Sequence, residues 1–426
     1  MGYLALLRTR PAYRRLWAAE LVSATGDWFS MVAVSIVAAR SAPEAGGLAL
    51  ATVLAAHLLP QALLAPVAGW LADRFDRRAL LVFGNLAEGV LTAGMTLAAA
   101  GGSLVTLQAL LFLRSSMASL REPALGAAMP SLVGRGELAT ANALGAATWS
   151  LTFVVGMGLG GVATEIGAPA ALAIDAVTFF VASALFRGLP SLAPPRTDAQ
   201  PAGGRVLQTA IADLRVALVA TKRRDLRAAV FGKTPPAVAG GAAWIALNLG
   251  AEALPFAGGA AATLGALQAI RGVGTGVGPL VSRGLVARGY APALVAHACA
   301  LAAFVGAIGI ACVGGPSSAI GSVLLWGAGG GALWVITQTE IQQRSDEAMR
   351  GRLLALDALG FTLGMSGSAL LTGLLVDSGI ALGTVGALVV TASALSWFFV
   401  RAQGRAARTT GTGRSAVHVP AIPSRE

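Results

Sequence analysis

The stretch Gly47–Ala72 (GLALATVLAAHLLPQALLAPVAGWLA) runs into Asp73-Arg74-Phe75-Asp76-Arg77-Arg78 and then into Ala79–Ala100 (ALLVFGNLAEGVLTAGMTLAAA). Each apolar run is long enough to cross a hydrocarbon layer, which takes about 20 residues of helix. The turn between them is almost wholly charged. Apolar helices joined by a short charged turn are two membrane spans meeting at one face. The basic residues mark that face as the cytoplasmic one.

Reading outward from this hairpin gives twelve apolar runs. They are Leu16–Ala39, Gly47–Ala72, Ala79–Ala100, Leu104–Met129, Leu138–Thr164, Pro169–Phe186, Ala228–Gly250, Gly258–Val281, Ala291–Val313, Ser317–Ile341, Leu353–Asp377 and Ile380–Val400. Composition agrees. Of the 426 residues, 55% are hydrophobic and only 12% charged, against about 25% charged in soluble domains. The 55 glycines fit helices whose backbones approach closely in lipid. The expected fold is an all-α polytopic membrane protein of twelve helices in two six-helix bundles.

The connections differ in charge. One set carries Arg74, Arg77, Arg78, Arg135, Arg283, Arg288, Arg344, Arg350 and Arg352. The opposite set carries Arg40, with Glu44, Glu165, Glu252 and Asp377 there or at its border. Both termini are therefore expected in the cytoplasm of a cell whose inner (plasma) membrane holds the chain. The long polar connection, with Pro190, Pro194, Pro195, Pro201, Gly203, Gly204 and the basic cluster Lys222, Arg223 and Arg224, divides the chain. Residues 1–187 form an N-terminal bundle, 188–226 a cytoplasmic linker, 227–402 a C-terminal bundle and 403–426 a disordered tail.

The net charge of +11 sits in short loops, which argues against nucleic acid as a partner. Cys299 and Cys312 lie in one apolar run and point to neither disulfide nor metal. Arg8, Arg10, Arg14 and Arg15 precede a run too long for a cleavable signal. The three histidines, His57, His297 and His418, form no His-Glu-x-x-His motif, and no Gly-x-x-x-x-Gly-Lys-Ser/Thr loop for ATP occurs. An intramembrane enzyme would need a nucleophile with a base, and Gly367-Ser368 has no evident partner. No cofactor, metal or enzymatic activity is expected.

The turn Gly69-Trp70-Leu71-Ala72-Asp73-Arg74-Phe75-Asp76-Arg77-Arg78 resembles the loop between helices two and three of the major facilitator superfamily. Asp76 stands where that family has its second Gly. Three further stretches resemble the enterobactin- and macrolide-exporter-like branch. They are Tyr13-Arg14-Arg15-Leu16-Trp17 with Gly26-Asp27-Trp28; Arg121-Glu122-Pro123-Ala124 with Met129-Pro130-Ser131-Leu132-Val133 and Ala141-Asn142; and Ile341-Gln342-Gln343-Arg344 with Arg350-Gly351-Arg352. The resemblance spans nearly the whole chain. It implies two bundles rocking about a central cavity and a monomeric secondary transporter, with proton-coupled efflux of an amphipathic small molecule such as a drug, siderophore or secondary metabolite. A uniporter or an importer of lipid-like substrates is the alternative within transport, and a non-transporting receptor the alternative outside it.

Charges at membrane depth are the functional pointers, because lipid makes them expensive. Asp27 lies ~20 Å along a helix from Arg14, and Arg114 lies ~16 Å from Ser103, so both fall near mid-membrane. Arg114 also matches an Arg that the family often carries in helix four. His57 and Arg271 lie at similar depth, and the four form the expected substrate and proton-coupling set. The alternatives are a static buried pair for Asp27 with Arg114, and packing for His57. Glu88 is expected as a helix–helix contact. Glu20, Asp175, Glu340 and Asp357 are expected nearer the membrane faces, and Arg121 near the cytoplasmic end of the fourth run. Gly69, Asp73, Arg74, Arg77, Arg78 and Glu122 form the expected cytoplasmic gate, with Asp73 near Arg352 and Glu122 accepting from Arg74 or Arg77. Gly156, Gly160 and Gly161 resemble a family antiporter element, with Met157 where Pro is usual; read physically, they permit close helix packing. The topology is tested by Arg74→Cys and Ala257→Cys, which are expected to label from opposite sides of the membrane. Labelling from the same side contradicts it.

Overall fold

A computed structural model of the protein describes residues 2–42, 46–193, 206–254, 256–312 and 314–409, and no strand occurs among them. The helices are α1 (Tyr3–Thr9), α2 (Pro11–Ser41), α3 (Gly46–Ala72), α4 (Arg77–Ala100), α5 (Leu104–Ala118), α6 (Arg121–Leu132), α7 (Leu138–Ile166) and α8 (Ala168–Arg187). After the connection come α9 (Val206–Ala220), α10 (Arg224–Val230), α11 (Thr234–Gly250), α12 (Ala260–Ala287), α13 (Pro292–Ala311), α14 (Pro316–Arg344), α15 (Glu347–Asp377) and α16 (Leu382–Thr409). Nine of the helices among the described residues are long and apolar enough to cross a membrane. Their outward surfaces carry apolar side chains such as Leu97, Ile166, Leu294 and Leu388, as lipid-facing surfaces do.

Three expected runs take other forms. Gly258–Val281 becomes the 28-residue α12, which starts two residues later and runs on to Ala287. Ala228–Gly250 is split at Phe231–Lys233, because Pro235 and Pro236 suit a helix start, where no N–H is needed. Leu104–Met129 is split between α5 and α6. Pro123 has no N–H to donate to the Ser119 carbonyl one turn earlier, so the helix breaks there. The connection expected as a plain linker holds α9, whose apolar face packs Ala217 with Leu226, Val230, Ile341 and Leu353. Helix α16 continues to Thr409, past the expected end of the C-terminal bundle. Glu44, Pro194, Pro195, Pro201, Gly203, Gly204 and residues 410–426 lie outside the described residues.

The packing is unequal at the two ends. At the end away from the Arg-rich turns, one continuous core joins both halves, from Val32, Leu50 and Leu107 to Ala243, Leu264 and Val323. At the Arg-rich end there are two separate cores. One holds Tyr13, Leu81, Leu125 and Phe186; the other holds Val230, Ile341 and Leu353. The halves therefore meet at one end and part at the other, with α9 packed on both α15 and α3 across the gap.

Two carboxylates tie the joined end together. Asp377, the last residue of α15, accepts hydrogen bonds from Gly47 N at 3.0 Å and Leu48 N at 2.8 Å at the start of α3. Glu165, near the end of α7, accepts from Ala262 N at 2.9 Å at the start of α12. The first N–H groups of a helix lack intrahelical partners and carry partial positive charge, so each carboxylate stabilises a helix start in the other half. Glycines let the helices come that close. A Cβ on Gly161 would stand 2.6 Å from Ala261 O of α12, and one on Gly156 would stand 2.6 Å from Thr25 O of α2. A Cβ on Gly160 would collide with the Phe29 backbone. The three residues thus wedge α7 between the N-terminal α2 and the C-terminal α12.

Candidate functional site

Arg114 on α5 is 1% exposed. Its Nη2 meets Asp27 Oδ1 of α2 at 2.9 Å, and its Nη1 meets Asp175 Oδ2 of α8 at 3.0 Å and Ser30 Oγ at 3.0 Å. The Phe179 ring lies 5.7 Å away. One planar guanidinium on α5 therefore joins two further helices, α2 and α8, through oxygens that accept from fixed N–H directions.

A second arginine completes the cluster. Arg121 Nη2 reaches the other oxygen of Asp27 at 3.1 Å, and its Nη1 donates to Ser23 Oγ at 3.2 Å. Glu88 Oε2 of α4 lies 3.8 Å from Arg121, and Glu20 Oε1 lies 3.9 Å away. Two guanidiniums thus face four carboxyl groups. Asp27 is shared by both arginines. Glu88, 1% exposed, has neither oxygen hydrogen-bonded.

This arrangement bears on several sequence expectations. Arg121 opens α6 after the break in the fourth run and meets Asp27. Asp175 is not near a face, because α8 spans only Ala168–Arg187 and Asp175 falls well inside it. Glu88 of α4 meets Arg121 of α6, a contact between helices, and Glu20 lies beside the same arginine. His57 is buried, edge-on to Trp28 at 6.1 Å, with Nδ1 unpartnered among the described residues. Arg271 belongs to a different place, between Phe153 of α7 and Trp326 of α14, each ring centroid 4.7 Å from its guanidinium carbon.

The Arg-rich turn also differs from expectation. Asp76, the residue that departs from the family pattern, caps α4 by accepting from Arg78 N at 2.9 Å. It also accepts from Ser191 Oγ at 2.7 Å and Leu192 N at 3.0 Å, while Arg78 Nη1 donates to Leu189 O at 3.1 Å. Partial desolvation opposes the charged form of Asp76, but these hydrogen bonds and the Arg78 charge outweigh it and hold its carboxyl below the usual range. Asp76 and Arg78 therefore fasten the exit of α8 to the turn. Arg74 stacks on Trp70 at 4.6 Å. Asp73 and Glu122 are exposed, Arg77 is half-buried, and a Cβ on Gly69 would meet nothing within 4 Å. Arg352 is engaged by Asp213 of α9 at 2.7 Å, a contact from the connection.

One buried pair escaped sequence reading on one side. Lys233, 3% exposed, pairs with Asp357, and its Nζ lies 3.7 Å from the Trp334 ring centroid and 5.8 Å from that of Phe361. The signal available was an unmatched lysine directly before the Thr234-Pro235-Pro236 helix start.

Two apolar helical halves that share a core at one end, part at the other and bury a charged cluster within one half define a transporter of the major facilitator fold. The profile of the transmembrane secretion effector family matches residues 2–410, and the chain belongs to that family of major facilitator transporters. It is 29% identical over 387 residues to an enterobactin exporter, EntS, from an Escherichia coli strain, with 87% of each chain covered. It is 31% identical over 195 residues to EntS of Citrobacter koseri, a match covering 45% of this chain and 46% of that one. An uncharacterized transporter of the superfamily, YfiS of Bacillus subtilis, is 28% identical over 181 residues, with 42% and 41% covered. In these last two comparisons the chain spans less than half the length of its relative. Among solved structures it is similar to a peptide transporter of the POT family, PepTSo, with TM-score 0.73, 15% identity and 94% and 99% of the chains covered. It is also similar to a bacterial homologue of the iron transporter ferroportin, with TM-score 0.64, 18% identity and 92% and 98% covered.

Removing the central guanidinium leaves Asp27 and Asp175 without their main partner. Breaking a buried ion pair this way costs about 3–5 kcal/mol. Arg114→Ala is therefore expected to lower the thermal unfolding midpoint in detergent micelles sharply, with Arg114→Lys intermediate because it keeps charge but loses the fork. An unchanged midpoint for Arg114→Ala contradicts this role.

Proposed function

We propose that the chain is a proton-coupled exporter of an amphipathic small molecule in the inner membrane, working as a monomer by alternating access. Twelve spans and cytoplasmic termini belong to this reading. The observation that carries it is the mismatch of charge around Asp27. If Asp27, Asp175, Glu88 and Glu20 were all ionised, Arg114 and Arg121 would leave two negative charges uncompensated inside the bilayer, which is costly. Protons are the smallest counter-charge available there, and the cluster can gain or lose them as water enters or leaves the gap between the halves.

Protonation biases a two-state carrier only if the states bind protons unequally. The two ends of the molecule supply the states. The present one is joined by Asp377 and Glu165 at the end away from the Arg-rich turns, and its separate cores leave the Arg-rich end open. The reverse state requires those two joints to part and the gate residues Gly69, Asp73, Arg74, Arg77, Arg78 and Glu122 to meet the other half. Family membership and the enterobactin exporters among the relatives support export over import. The buried, paired state of Asp27 disfavours its use as a free carboxylate for a cationic substrate. Coupling is therefore assigned to the cluster as a unit, with His57 beside Trp28 at its edge.

The test is transport in proteoliposomes with enterobactin as the probe and an imposed pH gradient. Asp27 holds two arginines, so Glu88→Gln, which keeps shape and breaks no hydrogen bond, is the cleaner variant. Wild type is expected to accumulate enterobactin against its gradient when the pH gradient is imposed. Glu88→Gln is expected to lose that response while keeping counterflow. Accumulation by Glu88→Gln at the wild-type rate contradicts coupling through the cluster, and a wild type indifferent to the pH gradient contradicts proton drive.

A further inference from the structure

The other cations inside the bundle have carboxylate partners: Arg114 and Arg121 in the cluster, and Lys233 on Asp357. Arg271 is different. Among the described residues its hydrogen bond is to Gln268 Oε1, donated from Nε at 2.7 Å, and no carboxylate stands within ion-pair reach of it. Its remaining N–H groups, on Nη1 and Nη2, are the fork that matches two oxygens of one anion. It is half-buried on α12, about 16 Å along the helix from Ala260. A permanent cation at such depth without a counter-charge is expensive, and its position marks function by default.

Two further features surround it. Gln268 is 1% exposed, and its Nε2 has no acceptor. Because Oε1 of the same amide faces Arg271 Nε, this unused donor lies beside the guanidinium. The site is thus rich in donors and short of acceptors. Its walls are aromatic and come from both halves. Phe153 of α7 and Trp326 of α14 flank the guanidinium, and Phe153 stacks on Trp149 at 5.7 Å with the rings 16° apart. Trp28 meets Phe153 edge-on at 4.7 Å. Trp149 is 47% exposed, so the aromatic wall is not closed over by protein on every side.

We propose that Arg271 and Gln268 receive the oxyanion of an aromatic substrate, a carboxylate or phenolate, whose ring stacks on the aromatic wall. This deepens the exporter reading and rests on it, by giving the amphipathic substrate a negative charge and a flat ring. The site takes its parts from α7 of one half and α12 and α14 of the other. A bound anion therefore supplies the missing counter-charge where the halves meet.

The test uses the full chain in nanodiscs of zwitterionic lipid with no pH gradient. Its outcome is therefore independent of whether transport is proton-driven. Binding is read from tryptophan fluorescence with salicylate and with salicylamide, its neutral counterpart. Charge-assisted hydrogen bonds make wild type prefer salicylate by about tenfold to a hundredfold. Arg271→Gln is expected to erase that preference with little effect on salicylamide, and Arg271→Lys to keep part of it. A preference that survives in Arg271→Gln overturns the proposal, as does equal or absent binding of the two probes by wild type. If Arg271→Gln does not fold, the wild-type pair of titrations and Arg271→Lys still decide. Abolition of the preference by added phosphatidylglycerol would assign the site to a lipid headgroup and also overturn the proposal.

Discussion

A guanidinium placed in hydrocarbon must be met by acceptors, and the N-terminal half is arranged around meeting Arg114. Its two outer nitrogens fix α2 and α8 against α5 through Asp27, Ser30 and Asp175. The second oxygen of Asp27 then draws in Arg121, and Arg121 brings Glu88 and Glu20 within reach. The C-terminal half buries its main ion pair differently, with Lys233 and Asp357 boxed by Trp334 and Phe361. Among the described residues its Arg271 has no carboxylate beside it. The halves share an architecture and divide the electrostatic work unequally.

Alternating access needs two states of similar free energy, so the joints that hold either one must be weak. The joined end fits this requirement. Asp377 and Glu165 each stabilise a helix start in the opposite half, a kind of contact worth about 0.5–2 kcal/mol. The glycine contacts of α7 with α2 and α12 add close packing without long side chains that would have to disentangle. At the other end, Asp76 and Arg78 hold the turn to the exit of α8 within one half, so that face can move as a rigid unit.

Much of this was legible in the chain, and the rest was hidden for identifiable reasons. Apolar runs and charged turns specify membrane helices because lipid tolerates little else, and counting rise per residue placed Asp27 and Arg114 at one depth. Asp175 was expected nearer a face, yet it lies inside α8 on Arg114, a partner from another helix that its own run does not announce. The split of the fourth run was hidden because its hydropathy shows no gap at Pro123. Glu165 and Asp377 were visible as border carboxylates, but their partners are backbone N–H groups of the other half, which leave no mark in sequence. Asp76 stands where the family pattern has a glycine, and its partners Ser191 and Leu192 lie far along the chain, so its fastening of α8 leaves no local mark. The donors around Arg271 come from side chains scattered over three helices, so no local motif announces them.

The central claim is that protonation of the Asp27 cluster decides which end of the molecule is open. Spin labels at Gly136 and Gln343, both at the Arg-rich end and in opposite halves, measure that opening directly. The account predicts that the distance distribution between them shifts between alkaline and acidic pH in the wild type, and that Glu88→Gln removes the shift. A pH-dependent shift of unchanged size in Glu88→Gln would contradict it.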